Sequence, residues 1–117
     1  MNQRVNIRKS AKENRAVRRV LFTGKQCQLD LMSLEARQEM GGDACPEVDR
    51  IFVVVHGKAE ALVGGKLVSL ARHEALFVGA GTTHKLRNVG DEAVKLYAVQ
   101  ARPDARAREV RVPHADP

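Results

Sequence analysis

Short apolar stretches separated by turn signals run through most of this chain. Gly24-Lys25, Gly41-Gly42, His56-Gly57-Lys58, Gly64-Gly65, Gly79-Ala80-Gly81 and Asn88-Val89-Gly90-Asp91 recur at fairly even spacing, and Val-, Leu- and Phe-rich segments lie between them. That rhythm predicts a β-sandwich or barrel. The strands expected are Val17–Phe22, Gln26–Leu34, Arg50–Val55, Lys58–Val63, Lys66–Leu70, Ala75–Val78, His84–Asn88 and Val94–Ala101. In the second, Leu29 and Leu31 alternate with Gln28 and Asp30. The third is almost continuously apolar, which predicts burial on both faces. Gly64-Gly65 predicts a two-residue hairpin turn, since both positions accept positive φ. Helical periodicity has one home, Ser10–Val20. Leu62, Leu76, Phe77, Val78, Leu86 and Leu96 are expected in the barrel interior or on its sheet-facing surfaces.

Length and composition narrow the picture. With 117 residues, 44% hydrophobic and 29% charged, the chain suits one globular domain with a modest core. The expected organisation is a basic N-terminal arm over 1–16, a barrel over 17–101 and a tail over 102–117. Met1–Arg19 is polar and basic with no apolar h-region, and no apolar run is long enough to span a bilayer, so a cytoplasmic location and no membrane partner are expected. Cys27 and Cys45 make no disulfide framework.

The formal net charge of +6 raises the question of nucleic acid. The basic residues crowd the first fifth of the chain and the tail, without interleaved aromatics or a groove-reading helix. A solvated arm and tail are the simpler reading, and a nucleic-acid partner is not expected. Salt-sensitive binding through the arms stands as a third functional class behind the two given below.

Chemistry concentrates between His73 and Asn88. The stretch His73-Glu74-Ala75-Leu76-Phe77-Val78-Gly79-Ala80-Gly81-Thr82-Thr83-His84-Lys85-Leu86-Arg87-Asn88 resembles the second cupin motif: Gly81, His84 and Asn88 keep its spacing, while His73 and Gly79 replace its first Gly and its Pro. Cys45-Pro46-Glu47-Val48-Asp49-Arg50-Ile51-Phe52 is similar to the His-Pro-x-x-Asp-Gln-Phe phrase of one small-cupin subfamily. Val20–Lys25 and Val94–Tyr97 also look like that subfamily. Anchored on Gly57, the first motif places Arg50 at its Glu/Gln position and Asp43 and Cys45 at its two histidines.

The resemblance implies an all-β double-stranded β-helix, a jelly-roll barrel of the RmlC-like type. It also implies a homodimer and one small pocket. Family functions vary too widely for the fold to name a reaction. The resemblance makes Asp43, Cys45, Arg50, His84 and Tyr97 the ligand-binding candidates, with the catalytic residues unknown. The leading expectation is a pocket for a small anionic or polyhydroxy ligand, with metal binding weakened or lost and no cofactor. Arg50 motivates this, because a permanent guanidinium repels a divalent cation. The alternative is a metal-dependent, isomerase- or dioxygenase-like enzyme holding Zn, Fe, Ni or Mn on Asp43, Cys45 and His84, three acceptable donors with a position left open. His84 with Tyr97 also imitates the acid–base pair of metal-free epimerising cupins. Asp43 is expected to pair with Arg50 in the absence of ligand.

Overall fold

The computed structural model describes residues 4–42 and 46–102. One short helix precedes nine strands: α1 (Ile7–Glu13), β1 (Arg18–Thr23), β2 (Cys27–Leu34), β3 (Glu39–Gly42), β4 (Asp49–His56), β5 (Ala59–Val63), β6 (Lys66–Leu70), β7 (Ala75–Val78), β8 (His84–Asn88) and β9 (Val94–Ala101). They form two antiparallel sheets, a five-stranded one ordered β1-β2-β9-β4-β7 and a four-stranded one ordered β3-β8-β5-β6.

Period-two alternation decides which side chains lie between the sheets. On β9, Val94, Leu96 and Ala98 are buried, whereas Lys95, Tyr97 and Val99 are partly exposed. With Met32, Leu34, Phe52, Val54, Leu86 and others they make one inner core. A second, smaller cluster lies on the outer side of the five-stranded sheet. There Ala11 packs on Leu31 and Val55, flanked by Ile7, Leu21 and Tyr97. Ile7 and Ala11 are four residues apart and so share one face of α1. Asn6 starts this helix, its side chain accepting from Lys9 N–H at 3.1 Å.

Several expectations change here. The helix lies at Ile7–Glu13, upstream of the predicted Ser10–Val20, because β1 begins at Arg18. Strand β3 went unseen, since its Glu-Met-Gly-Gly sequence reads as a turn. Leu62 and Phe77 are 43% and 61% exposed, on the outward phase of β5 and β7, and do not join the core. Val78, Leu86 and Leu96 are fully buried, and Leu76 packs against them. On β4, Phe52 and Val54 face inward and Val55 is buried beneath α1, but Ile51 is 40% exposed. The Gly64-Gly65 turn forms as expected, with φ of 53° and 84° joining Val63 to Lys66.

Candidate functional site

Strand β8 begins at His84, whose side chain is on the inward phase shared with Leu86 and Asn88. The last of these is structural. Asn88 Nδ2 donates to the carbonyls of Leu34 at 3.0 Å and Glu92 at 2.7 Å, and its Oδ1 accepts from Gly90 N–H at 2.9 Å. One buried amide thus ties β8 to the end of β2 and to its own following turn.

His84 lines a cavity of about 220 Å³ opening between the sheets. Phe52, Met32, Met40 and Leu86 give this cavity apolar walls; Arg18, Arg50 and Gln100 give it polar ones. The imidazole is 8% exposed and lies against Phe52, ring centroids 5.4 Å apart. Its Nδ1 is buried and has no hydrogen-bond partner among the described residues. Burial and the Arg50 guanidinium hold its pKa below 6.5, against a smaller opposing pull from the Thr82 backbone. The imidazole is therefore neutral at pH 7, with nitrogen lone-pair or N–H capacity unused.

Arg50 reaches this cavity because it precedes Phe52 by two residues on β4, on the same inward phase. Among the described residues no carboxylate or carbonyl claims its guanidinium. A half-buried cation without a partner is costly to hold, and such cost is tolerated where a ligand supplies the counter-charge.

A polar network that was not read from the sequence flanks these two residues. Asp30 is 0% exposed, and its carboxylate accepts from Arg18 Nε at 3.0 Å, Gln28 Nε2 at 2.9 Å and Gln100 Nε2 at 2.7 Å. The Leu/Gln/Asp alternation of β2 is present, but Leu31 faces the helix-covered outer side while Asp30 continues the inward phase of Met32 and Leu34. Extending the phases of Met32-Leu34 and of Val94-Leu96-Ala98 outward along their strands is the signal that finds Gln28, Asp30 and Gln100.

The remaining candidates separate from this centre. Tyr97 packs in the outer cluster with Leu31 and Val55, on the opposite side of the sheet from His84, because it is odd-phased on β9. The His84–Tyr97 acid–base pair is thereby corrected: the sheet stands between them. Asp43 and Cys45, and with them the Asp43–Arg50 pair, lie outside the described residues. Another cleft, of about 270 Å³ at the β1–β2 turn, carries Lys25, Cys27 and Arg102, all exposed.

The described donors do not suit a divalent metal. Among the described residues lining the cavity His84 is the one imidazole and no carboxylate or thiolate joins it, Arg50 adds a repelling charge, and the nearby Asp30 carboxylate is already taken by three donors. No group of three or more His, Cys, Asp or Glu side chains gathers among the described residues. Nor is any helix among them long and apolar enough to cross a membrane.

Comparison with known proteins agrees with this architecture. The family model described as "Cupin domain" matches residues 31–100. The uncharacterized protein YrkC of Bacillus subtilis (strain 168) is 33% identical over 106 residues, 86% of this chain; the chain spans 57% of that protein's length. The uncharacterized protein L612 of Acanthamoeba polyphaga mimivirus is 30% identical over 112 residues, 92% of this chain and 70% of its own. The crystal structure of BH2720 from Bacillus halodurans superposes with a TM-score of 0.83 at 32% identity, covering 89% of this chain and 83% of that one. With the family model running from β2 to β9 and the barrel shared with that solved structure, this chain belongs to the cupin family.

Proposed function

We propose that the barrel cavity binds a small organic anion, with Arg50 supplying the positive charge that a metal supplies in metal-binding cupins. The observation that carries this reading is the Arg50 guanidinium, unclaimed among the described residues, in the same cavity as a nearly buried imidazole with a spare nitrogen. A carboxylate accepts two parallel N–H bonds from a guanidinium. It also offers the His84 imidazole an acceptor. The apolar walls formed by Met32, Met40 and Leu86 favour an anion with a hydrocarbon body over a polyhydroxy ligand. At about 220 Å³ the cavity is smaller than sites for drug-sized ligands, which start near ~300 Å³.

Calorimetric titration of untagged protein with butyrate tests this. Saturable binding that is lost in Arg50→Gln is the expected result, together with little metal by elemental analysis and a raised affinity for divalent metal in that variant. Stoichiometric metal in the purified wild-type protein, or butyrate affinity indifferent to Arg50→Gln, overturns it.

A further inference from the structure

Arg50 on β4 and Gln100 on β9 are direct cross-strand partners, and Gln28 on β2 is the partner of Gln100 on its other side. Directly opposed residues hold their Cβ atoms ~4.5–5.5 Å apart, so a group bound by Arg50 lies within reach of Gln100. The Gln100 amide is not free to turn over. Its Nε2 donates to Asp30 Oδ2 at 2.7 Å, and an ionised carboxylate only accepts, so Oε1 must point away from Asp30. Arg18 is fixed in the same manner through its Nε, at 3.0 Å from the same oxygen, which leaves its two Nη groups without an acceptor among the described residues. Asp30 cancels the charge of Arg18, so the surplus positive charge of the cavity is that of Arg50.

We propose that the cavity selects a short 2-hydroxycarboxylate over the corresponding simple carboxylate. The inference rests on the anion-binding reading and adds a second recognition point to it. The carboxylate sits on Arg50, and the neighbouring hydroxyl bridges Gln100 and Arg18, donating its proton to Gln100 Oε1 and accepting an Arg18 N–H. A hydroxyl both donates and accepts, which matches a fixed acceptor beside a fixed donor. A second carboxylate or a phosphate at that point offers acceptors alone and meets the Gln100 oxygen unfavourably. Gln100 and Arg18 are then binding residues, and Asp30 is the positioning residue that sets the orientation of both.

The test is calorimetric comparison of 2-hydroxybutyrate with butyrate, whose carbon chains are the same length. Wild-type protein is expected to favour the hydroxy acid by about tenfold, the scale of one net hydrogen bond. Gln100→Met, which keeps the side-chain length and removes the acceptor, is expected to bring the two affinities together, the readout being their ratio within the one variant. Asp30→Asn is expected to narrow the same ratio by loosening the hold on the amide, while raising the affinity for both acids because Arg18 is left uncompensated; where that variant fails to fold, Gln100→Met carries the test. Equal affinities in the wild type, or a preference that survives Gln100→Met, overturn this inference and leave the anion site standing. Absence of binding by either acid overturns both.

Discussion

Gly41 lies so close to His84 that a methyl group on its Cα would stand 2.8 Å from the His84 carbonyl oxygen. The two residues belong to neighbouring, paired strands, β3 and β8, and both line the cavity. With φ at 108°, Gly41 also holds a backbone conformation that side chains rarely adopt. Gly41→Ala therefore pushes β3 away from β8 at the point where the imidazole is positioned. Conformational strain alone is worth ~1–3 kcal/mol. A drop in denaturation midpoint accompanied by weaker butyrate binding is expected. Unchanged stability would show that β3 does not hold this path.

A different departure from the family pattern is open to repair. His73 stands where the second cupin motif has glycine, and it takes a φ of 71° in the turn before β7. Its N–H still donates to the Val54 carbonyl at 2.7 Å, a bond that glycine keeps. A left-handed conformation costs an ordinary residue ~1–2 kcal/mol. The greater chain entropy of glycine takes back ~0.5–1 kcal/mol. His73→Gly is thus expected to stabilise the protein by about 0.5–1 kcal/mol. Chemical denaturation checks this, with an unchanged dependence on denaturant showing that the effect lies in stability.

Most of the fold was legible because eight of the nine strands among the described residues are short apolar or alternating stretches, most of them bounded by glycine or asparagine turns. The strand that was missed, β3, has the sequence Glu-Met-Gly-Gly and forms by backbone pairing with β8 around Gly41. Side-chain pattern cannot announce such a strand. Motif spacing pointed to Arg50 and His84, and both line the same cavity. Tyr97, paired with His84 only by likeness to the acid–base pair of epimerising cupins, lies elsewhere, because a one-residue difference in phase selects the other face of the sheet. The Asp30 network escaped because charged and amide side chains in a strand read as its solvent face. Here three mutual hydrogen bonds satisfy the carboxylate, so the interior accepts it.

Adjacent residues on β7 give a direct check of strand phase. Val78 is 1% exposed and in the inner core, while Phe77 is 61% exposed on the opposite face, across from Ile51. Leu86, paired with Ala61 inside the barrel, is buried like Val78. Leu86→Ala is expected to cost ~2–5 kcal/mol. Phe77→Ser is expected to change stability by no more than ~0.5 kcal/mol, the range of ordinary surface substitutions. Reversal of that order in urea melts would place the register of the barrel one residue out.

The titration of His84 links folding, ligand and pH. Its pKa is lowered in the folded state by burial, then by Arg50, from an ordinary value of 6.5. Below pH 6.5 the unfolded chain therefore binds a proton at this residue that the native state refuses. The unfolded state binds more protons in that range, so stability rises with pH there and falls on acidification. The contribution is fully present above the unfolded value and is lost as pH drops from 6.5 through the lowered native pKa. Arg50 is the charged side chain identified as acting on this imidazole, and an anion bound to Arg50 offsets that repulsion. Bound butyrate should consequently raise the His84 pKa, and binding should take up protons, so affinity should increase as pH falls from 7.5 toward 5.5. Calorimetry in buffers of different ionisation enthalpy reads the proton uptake directly. His84→Gln, which cannot titrate, is expected to abolish that uptake and to flatten the acid limb of the stability profile relative to wild type. Proton release on binding, or an acid limb of equal steepness in both proteins, would remove His84 from the site.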